Sequence, residues 1–402
     1  MFYEILIAIL FGAFIGIFTG LIPGVHVNLV SLLLLSMSGY LLGFTTPIVL
    51  CCFIISLSIV HTFLDSIPSI FLGAPDAEQA LNALPGHKLL LQGKGFEAVK
   101  LTVIGSLISL IIVVALIPFA IPVVGKIYPL LEPYIGWILL AAVIYMVVKE
   151  KNFERKFWSF FIFIMSGVLG IIVFSMPNMK QPLLPLLSGL FGISTLIVSL
   201  SANTKIPKQN ITDTIRIPKK NMIKAIGASV ASGSAIGMFP GLGAAQAAVI
   251  ASQVTGKIGV YSFMVLVGGI NTVNFVFSLV TLLMLDKARN GAVVAIREII
   301  KMDINILVIF VAAALIAGGI ATFLTFGITR MFCKLVEKIN YKMLCIGVIL
   351  FVSCMVYYFS NWIGLAVLLT STAIGLIPNI TGVGRSNAMG CLLLPVILYF
   401  LL

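Results

Sequence analysis

Gly16-Ile17-Phe18-Thr19-Gly20-Leu21-Ile22-Pro23-Gly24 near the start of the chain has a counterpart in the second half, Gly233-Ser234-Ala235-Ile236-Gly237-Met238-Phe239-Pro240-Gly241. Both read G-x3-G-x2-P-G, 217 residues apart. A single GxxxG is common wherever two membrane helices pack, but here two further matches follow in order. Val60-His61-Thr62 faces Ile270-Asn271-Thr272 at an offset of 210, and Met176-Pro177-Asn178 faces Ile377-Pro378-Asn379 at 201. An offset that drifts in one direction is the pattern of a duplication with small deletions. The expected organisation is a first repeat over 1–201, a basic linker over 202–224 and a second repeat over 225–402.

The surroundings of these motifs set the class. Of 402 residues, 60% are hydrophobic and only 9% charged, and the mean hydropathy is +1.19. A soluble domain carries about 25% charged residues, so this chain cannot cover a water-facing surface. It reads as an all-α polytopic protein of the cell membrane, which excludes a soluble enzyme, a disordered scaffold and a nucleic-acid binder. The net charge of +12 sits mostly in loops between apolar runs, where the positive-inside rule puts it. The six cysteines show no CxxC or Cys/His spacing, so neither a disulfide framework nor a metal site is expected. The N-terminus lacks the basic start and cleavage site of a signal peptide and reads as the first span.

A spanning helix needs about 20 apolar residues. Candidates are Phe2–Gly20, Phe44–Val60, Leu101–Val124, Tyr134–Val148 and Phe157–Phe174, then Ala225–Gly237, Tyr261–Leu285, Ile306–Ile328, Met343–Tyr358 and Gly364–Ile377. Shorter stretches punctuated by Gly and Pro (Val25–Met37, Leu183–Leu200, Leu242–Val254, Met389–Leu402) have the length of broken or re-entrant helices. The expected count is about 10–12 membrane segments.

Charge then orients the halves. The linker holds Lys205, Lys208, Arg216, Lys219, Lys220 and Lys224 against Asp213 alone, which assigns it to the cytoplasm. In the first half a loop over Gly125–Pro133 carries one basic residue and the next, Lys149–Lys156, carries four. The second half reverses the order, with four basic residues over Arg330–Lys342 and none over Tyr358–Gly364. Corresponding loops of opposite bias imply inverted-topology repeats, an architecture of secondary transporters, with the N-terminus outside.

The Pro-Gly pairs supply candidate chemistry. Proline lacks an N–H and glycine tolerates redirected backbone, so each pair should break a helix and leave a new N-terminus. Unsatisfied N–H groups there attract anions. Pro23, Gly24, His26 and Asn28 in one half, and Pro240, Gly241, Gly243 and Gln246 in the other, would form a pseudo-symmetric cradle for a carboxylate or phosphate. Packed structural kinks are the alternative reading. His61 and Asp65, four apart and on one helical face, are candidates for coupling to H⁺ or Na⁺; equally, Pro68 could end the span and leave Asp65 at the interface. Asn271, Thr272 and Asn274, in the region matching His61, suit a substrate or a sodium ion, or hydrogen bonds between helices. His87 is expected at the surface. No other cofactor is expected.

The segment Ser69-Ile-Phe-Leu-Gly73-Ala-Pro75-Asp76, then Ala83-Leu84-Pro85-Gly86-His87-Lys88 and Gln92-Gly93-Lys94, resembles the large membrane subunit of the tripartite tricarboxylate transporters. That family pairs a helix-breaking Pro-Gly with a second Pro-Gly, a Leu-Asp-Gly-Tyr and a Gln-Gly-basic element. Pro185-Leu-Leu-Ser-Gly189-Leu-Phe-Gly192 is similar to the family's mid-chain Gly-Leu-Phe-Gly segment. Asp76 stands where the family favours Gly, and Pro85 replaces the Asp of Leu-Asp-Gly. The resemblance implies a permease that works with a small membrane subunit and a periplasmic binding protein. Paired Pro-Gly breaks give a more distant similarity to the polyprenyl-phosphate translocases.

The leading expectation is a secondary transporter of an organic anion, a di- or tricarboxylate, by ion-coupled alternating access. The partners expected are that anion, membrane lipid, and a small membrane subunit or a second copy of the chain. The alternative is a flippase for a phosphorylated lipid. An intramembrane enzyme using His61 and Asp65 is the weakest reading, because no Ser/Lys, Asp/Asp or HExxH set accompanies them.

Overall fold

The computed structural model describes the chain except residues 23–26, 74–79, 178, 180, 202–206, 213, 239–242, 257 and 337–339, and except the side chains of helical residues 28, 29, 32, 80–84, 199, 201, 246 and 341. Among the described residues the regular structure is helical. The first half comprises α1 (Phe2–Leu21), α2 (Val27–Ser36), α3 (Ser38–Leu41), α4 (Pro47–Leu64), α5 (Ser66–Phe71), α6 (Ala80–Leu90), α7 (Gly95–Leu131), α8 (Ile135–Val148) and α9 (Phe153–Phe174). It closes with α10 (Leu183–Leu187), a π-helical segment (Ser188–Ile193) and α11 (Ser194–Ser201). The second half comprises α12 (Lys219–Met238), α13 (Ala244–Thr255), α14 (Gly259–Leu285), α15 (Gly291–Ile299), α16 (Ile304–Val336), α17 (Tyr341–Thr381), a 3₁₀ turn (Arg385–Met389) and α18 (Gly390–Leu401).

Seven helical stretches among the described residues are long and apolar enough to cross a membrane. Two of them contain more than one crossing. Gly95–Val148 has 54 residues, about 81 Å at the helical rise against a hydrocarbon core of about 30 Å. The chain reverses after α7, and Lys149 Nζ donates to Gln253 Oε1 at 2.8 Å, just ahead of α14. α17 turns at Asn361 (φ 51°, ψ −152°), and beyond its C-terminus Gly382 approaches the Arg155 guanidinium at the Lys149–Lys156 connection. By contrast α2 and α13, of 10 and 12 residues, are about 15 and 18 Å long, too short to span.

Glycine ridges set the packing. α1 runs parallel to α4: a Cβ on Gly16 would lie 2.8 Å from Val60 Cβ, and one on Gly20 2.8 Å from Leu64 Cβ. α12 repeats this on α14, with Gly233 on Val273 and Gly237 on Phe277, at 2.7 and 3.0 Å. The halves also exchange partners. α7 of the first packs on α14 of the second, while α16 of the second packs on α4 of the first. Gly170 on Cys391 and Gly390 on Phe163 join α9 to α18; Gly375 on Leu190 and Gly189 on Leu368 join α17 to the π-helical segment. Dispersion contacts at close backbone approach are what hold such helices together, since lipid is as apolar as their side chains.

Contacts at the helix ends give directions. Lys94 donates to Tyr261 OH at 2.9 Å, Phe96 meets Phe326 at 6.2 Å, and Phe71 meets Phe332 at 5.8 Å. The C-terminus of α5, the N-termini of α7 and α14 and the C-terminus of α16 therefore share one end. At the other, Lys287 Nζ reaches Glu132 Oε1 at 3.3 Å and Tyr128 OH at 3.2 Å; that hydroxyl holds the Lys287 ammonium above its ordinary pKa. α4 is thus antiparallel to α14, and α7 to α16.

Several expectations need correction. The Gly125–Pro133 loop is helical to Leu131, with Pro118, Pro122 and Pro129 inside α7; a helix in apolar surroundings keeps its remaining backbone bonds because no water competes for them. The Arg330–Lys342 loop shrinks likewise, α16 running to Val336 and α17 starting at Tyr341. Pro177 follows α9 whereas Pro378 lies inside α17, so the third sequence match is not a structural one. The linker is docked along its middle: Gly95 N–H donates to Gln209 Oε1 at 2.9 Å, Gln209 Nε2 to Leu90 O at 3.1 Å, and Asn210 N–H to Gly93 O at 2.8 Å.

Candidate functional site

The two most enclosed spans carry the polar candidates. Pro47–Phe71 and Gly259–Leu285 are 89% and 94% buried over their apolar windows, so any polar group on them must find a partner in the protein or a ligand. On α4, His61 and the adjoining Asp65 are each 2% exposed. Asp65 therefore lies inside the protein, and helix resumes in α5 with Pro68 within it. His61 Nδ1 lies 3.1 Å from Thr19 Oγ1, and Thr19 donates to Gly16 O at 3.2 Å. With the hydroxyl proton committed to that carbonyl, Nδ1 is the donor to Thr19 Oγ1. This ties the imidazole to the last turn of α1, next to the first Pro-Gly pair.

On α14, Asn271 is 1% exposed, and neither its Oδ1 nor its Nδ2 has a hydrogen-bond partner. Thr272 is buried, with Gly268 O at 3.5 Å, and Asn274 O accepts from Ser278 Oγ at 2.7 Å. The glycine contacts fix the register between α4 and α14. A Cβ on Gly20 would lie 3.0 Å from the His61 carbonyl, as one on Gly237 would lie 3.3 Å from the Asn274 carbonyl. His61 thus corresponds to Asn274, one turn on from the Asn271 of the letter-by-letter match, and Asp65 corresponds to Ser278.

Pro23, Gly24, His26, Pro240 and Gly241 lie outside the described residues. Asn28 and Gln246 fall in the first turns of α2 and α13, their side chains undescribed. Gly243 precedes α13 and accepts Ala247 N–H at 3.2 Å. His87 is not at the surface. It is 2% exposed in α6, with Nδ1 donating to Ile70 O at 2.9 Å, and burial lowers its pKa.

A model of the tripartite tricarboxylate transporter TctA family matches residues 6–390. The chain belongs to that family. An uncharacterized protein of Methanocaldococcus jannaschii is 31% identical over 407 residues, covering 98% of this chain and 99% of that one. No solved structure matches the chain. As a TctA-family protein it is a multi-pass membrane transporter, from a family whose members form part of tripartite systems with other subunits.

One polar residue of this TctA-family chain escaped the sequence reading. Arg385, half-buried ahead of α18, donates from Nε and Nη2 to Asn379 Oδ1 (3.2 and 2.7 Å), and from Nη1 to Phe191 O (3.4 Å) and the Thr195 hydroxyl. It is the only charged residue after Lys342. That isolation in an apolar stretch was the signal available.

Proposed function

We propose that this chain is a secondary transporter that moves a di- or tricarboxylate by ion-coupled alternating access. The observation that carries the reading is the Asn271 amide, enclosed on the most buried span with both polar atoms unbonded. Such a group costs about 1–3 kcal/mol, a cost that a polar ligand at the amide would offset. His61 and Asp65 on the other enclosed span are the coupling groups for H⁺ or Na⁺. The antiparallel courses of α4 against α14 and of α7 against α16, with the partner exchange between halves, support two inverted repeats over 1–201 and 225–402 and a cytoplasmic linker. In this reading the backbone N–H groups that follow Pro23-Gly24 and Pro240-Gly241 face the anion, with His26, Asn28, Gly243, Gln246, Thr272 and Asn274 nearby. A small membrane subunit or a second copy of the chain completes the assembly.

The test is uptake by purified protein in liposomes under imposed H⁺ and Na⁺ gradients, screened over polycarboxylates and lipid phosphates. Gradient-driven carboxylate accumulation is expected. Gly24→Val and Gly241→Val should each cut it by roughly 10- to 150-fold, the worth of one charge-assisted hydrogen bond. Translocation of lipid phosphates with no carboxylate uptake would replace this reading with the flippase.

A further inference from the structure

His61 meets α1 through a hydroxyl that is already engaged. Thr19, on the last turn of α1, and His61 are both buried. Thr19 Oγ1 lies 3.1 Å from His61 Nδ1 and donates to Gly16 O at 3.2 Å. A hydroxyl has one proton and two lone pairs, so with its proton on the carbonyl it serves the ring as an acceptor, and Nδ1 carries hydrogen. The hydrogen bond made at one ring nitrogen decides which nitrogen is protonated. A neutral histidine left to itself in water favours hydrogen on Nε2, so Thr19 imposes the opposite choice whenever the ring is neutral.

The second half supplies an internal comparison. In the register given by the glycine contacts, Gly237 stands for Gly20 and Asn274 for His61, so Ile236 stands for Thr19. Ile236 is buried and offers no acceptor. The hydroxyl thus occurs in the half that has the imidazole and gives way to hydrocarbon in the half that has an amide, while the glycines beside it recur in both. Apolar bulk is enough for the helix crossing; the ring accounts for the hydroxyl. Other charge near His61 is sparse. Asp65 is one turn on along α4. Among the described residues of the elements packed on that helix, α1 has only Glu4 at its far end, α2, α5 and α14 have no charge, α7 has none between Lys100 and Lys126, and α16 none before Arg330. Arg297 and Glu298 of α15 pair with each other.

We infer that Thr19 is the positioning residue of His61: it holds the hydrogen of Nδ1 in place, so that a proton taken up or released by the ring is exchanged at Nε2. Uptake places a proton on the Nε2 lone pair and converts the Nδ1–H imidazole to imidazolium; release reverses this, and Thr19 itself neither gains nor loses a proton. This rests on the coupling role proposed above for His61 and names the nitrogen at which it acts.

The experiment is nitrogen NMR of isotopically labelled histidine rings in the purified full chain, recorded across the pH range in which histidines titrate, with citrate and succinate uptake by the same protein in liposomes. The chain has three histidines, and His61→Gln identifies the His61 resonances by removing them. In the parent, Nδ1 of His61 should carry hydrogen throughout, whatever the state of Nε2. Thr19→Val keeps the shape of the side chain and removes the acceptor. It should cost the Nδ1–H form roughly 5- to 150-fold in population against the Nε2–H form, the effect of leaving one buried donor unpaired. Gradient-driven accumulation should fall by a similar factor, with equilibrium binding of citrate within a few-fold of the parent. Thr19→Ser, which restores an acceptor, should recover both. A purely structural role would lower binding and uptake together and leave the tautomer where it was. An unprotonated Nδ1 in the parent at alkaline pH overturns the inference, and so does a Thr19→Val variant that accumulates like the parent; the coupling role of His61 survives both. If Thr19→Val does not fold, Thr19→Ala puts the same two questions. His61→Gln accumulating like the parent overturns the coupling role and the inference with it, as does a parent that accumulates neither acid.

Discussion

Replacing Asn271 by leucine should make the protein more stable and less active. The amide is 1% exposed with four unused hydrogen-bonding positions. Leucine fills nearly the same volume and asks for no partner. Removing an unsatisfied buried amide should recover about 1–3 kcal/mol. With an unfolding entropy of about 2.1 cal/mol/K per residue, a chain of 402 residues gains roughly 1 °C for each kcal/mol, so Tm should rise by about 1–4 °C. If the amide bonds the cargo, the same change should reduce uptake by roughly 5- to 150-fold. Thermal unfolding of the detergent-solubilised protein gives the first quantity and liposome uptake the second. A variant destabilised by more than about 1 kcal/mol would mean that the folded protein already satisfies the amide, and the reasoning would fail at its first step. A stabilised variant with unchanged uptake would make Asn271 a packing defect with no part in transport.

Three other outcomes follow from the same geometry. Gly268→Ala would set a methyl on the Thr102 carbonyl where α7 crosses α14 and displace the Ser106 bond to Gly268 O, a loss of about 1–3 kcal/mol; Gly347→Ala, with nothing within 4 Å of its new methyl, should gain up to about 1 kcal/mol. Equal melting shifts for the two would refute the glycine-ridge account. Asp65→Asn should abolish gradient-driven accumulation and leave cargo binding within a few-fold of the parent, as checked by comparing uptake with equilibrium binding. An impermeant thiol reagent applied to intact cells should label Asn361→Cys and miss Lys208→Cys, whereas external labelling at position 208 would reverse the orientation.

The sequence carried the helical membrane class because membrane physics writes it in long apolar runs. It did not carry the register. Val60-His61-Thr62 looks like Ile270-Asn271-Thr272 letter by letter, yet helix register is set by which residues sit against the glycines, and those contacts pair Val60 with Val273 and Leu64 with Phe277. Helix ends failed for another reason: proline usually breaks a helix and lysine, although a good helix former, marks a polar loop between spans, but Pro129 and Lys334 lie within helices here. His87 was misplaced because a histidine flanked by Gly86 and Lys88 reads as exposed, while its bond to Ile70 O satisfies it inside.

The corrected register also separates the two halves chemically. Positions that pack backbone against backbone recur in both halves, as Gly189 does with Gly390 and Gly170 with Gly375. Several polar positions do not. His61 and Asp65 meet Asn274 and Ser278, and in the register of Gly189 with Gly390, Arg385 stands opposite Leu184. A symmetric fold can tolerate this because exchanging a side chain in an enclosed polar site leaves the helix crossings untouched, whereas exchanging a ridge glycine separates two helices. In the proposed transporter the first half thus supplies the titratable groups for coupling. The second supplies neutral amides in their place, so Asp65 and Asn271 variants should impair different steps, accumulation and cargo binding, although their halves share one scaffold.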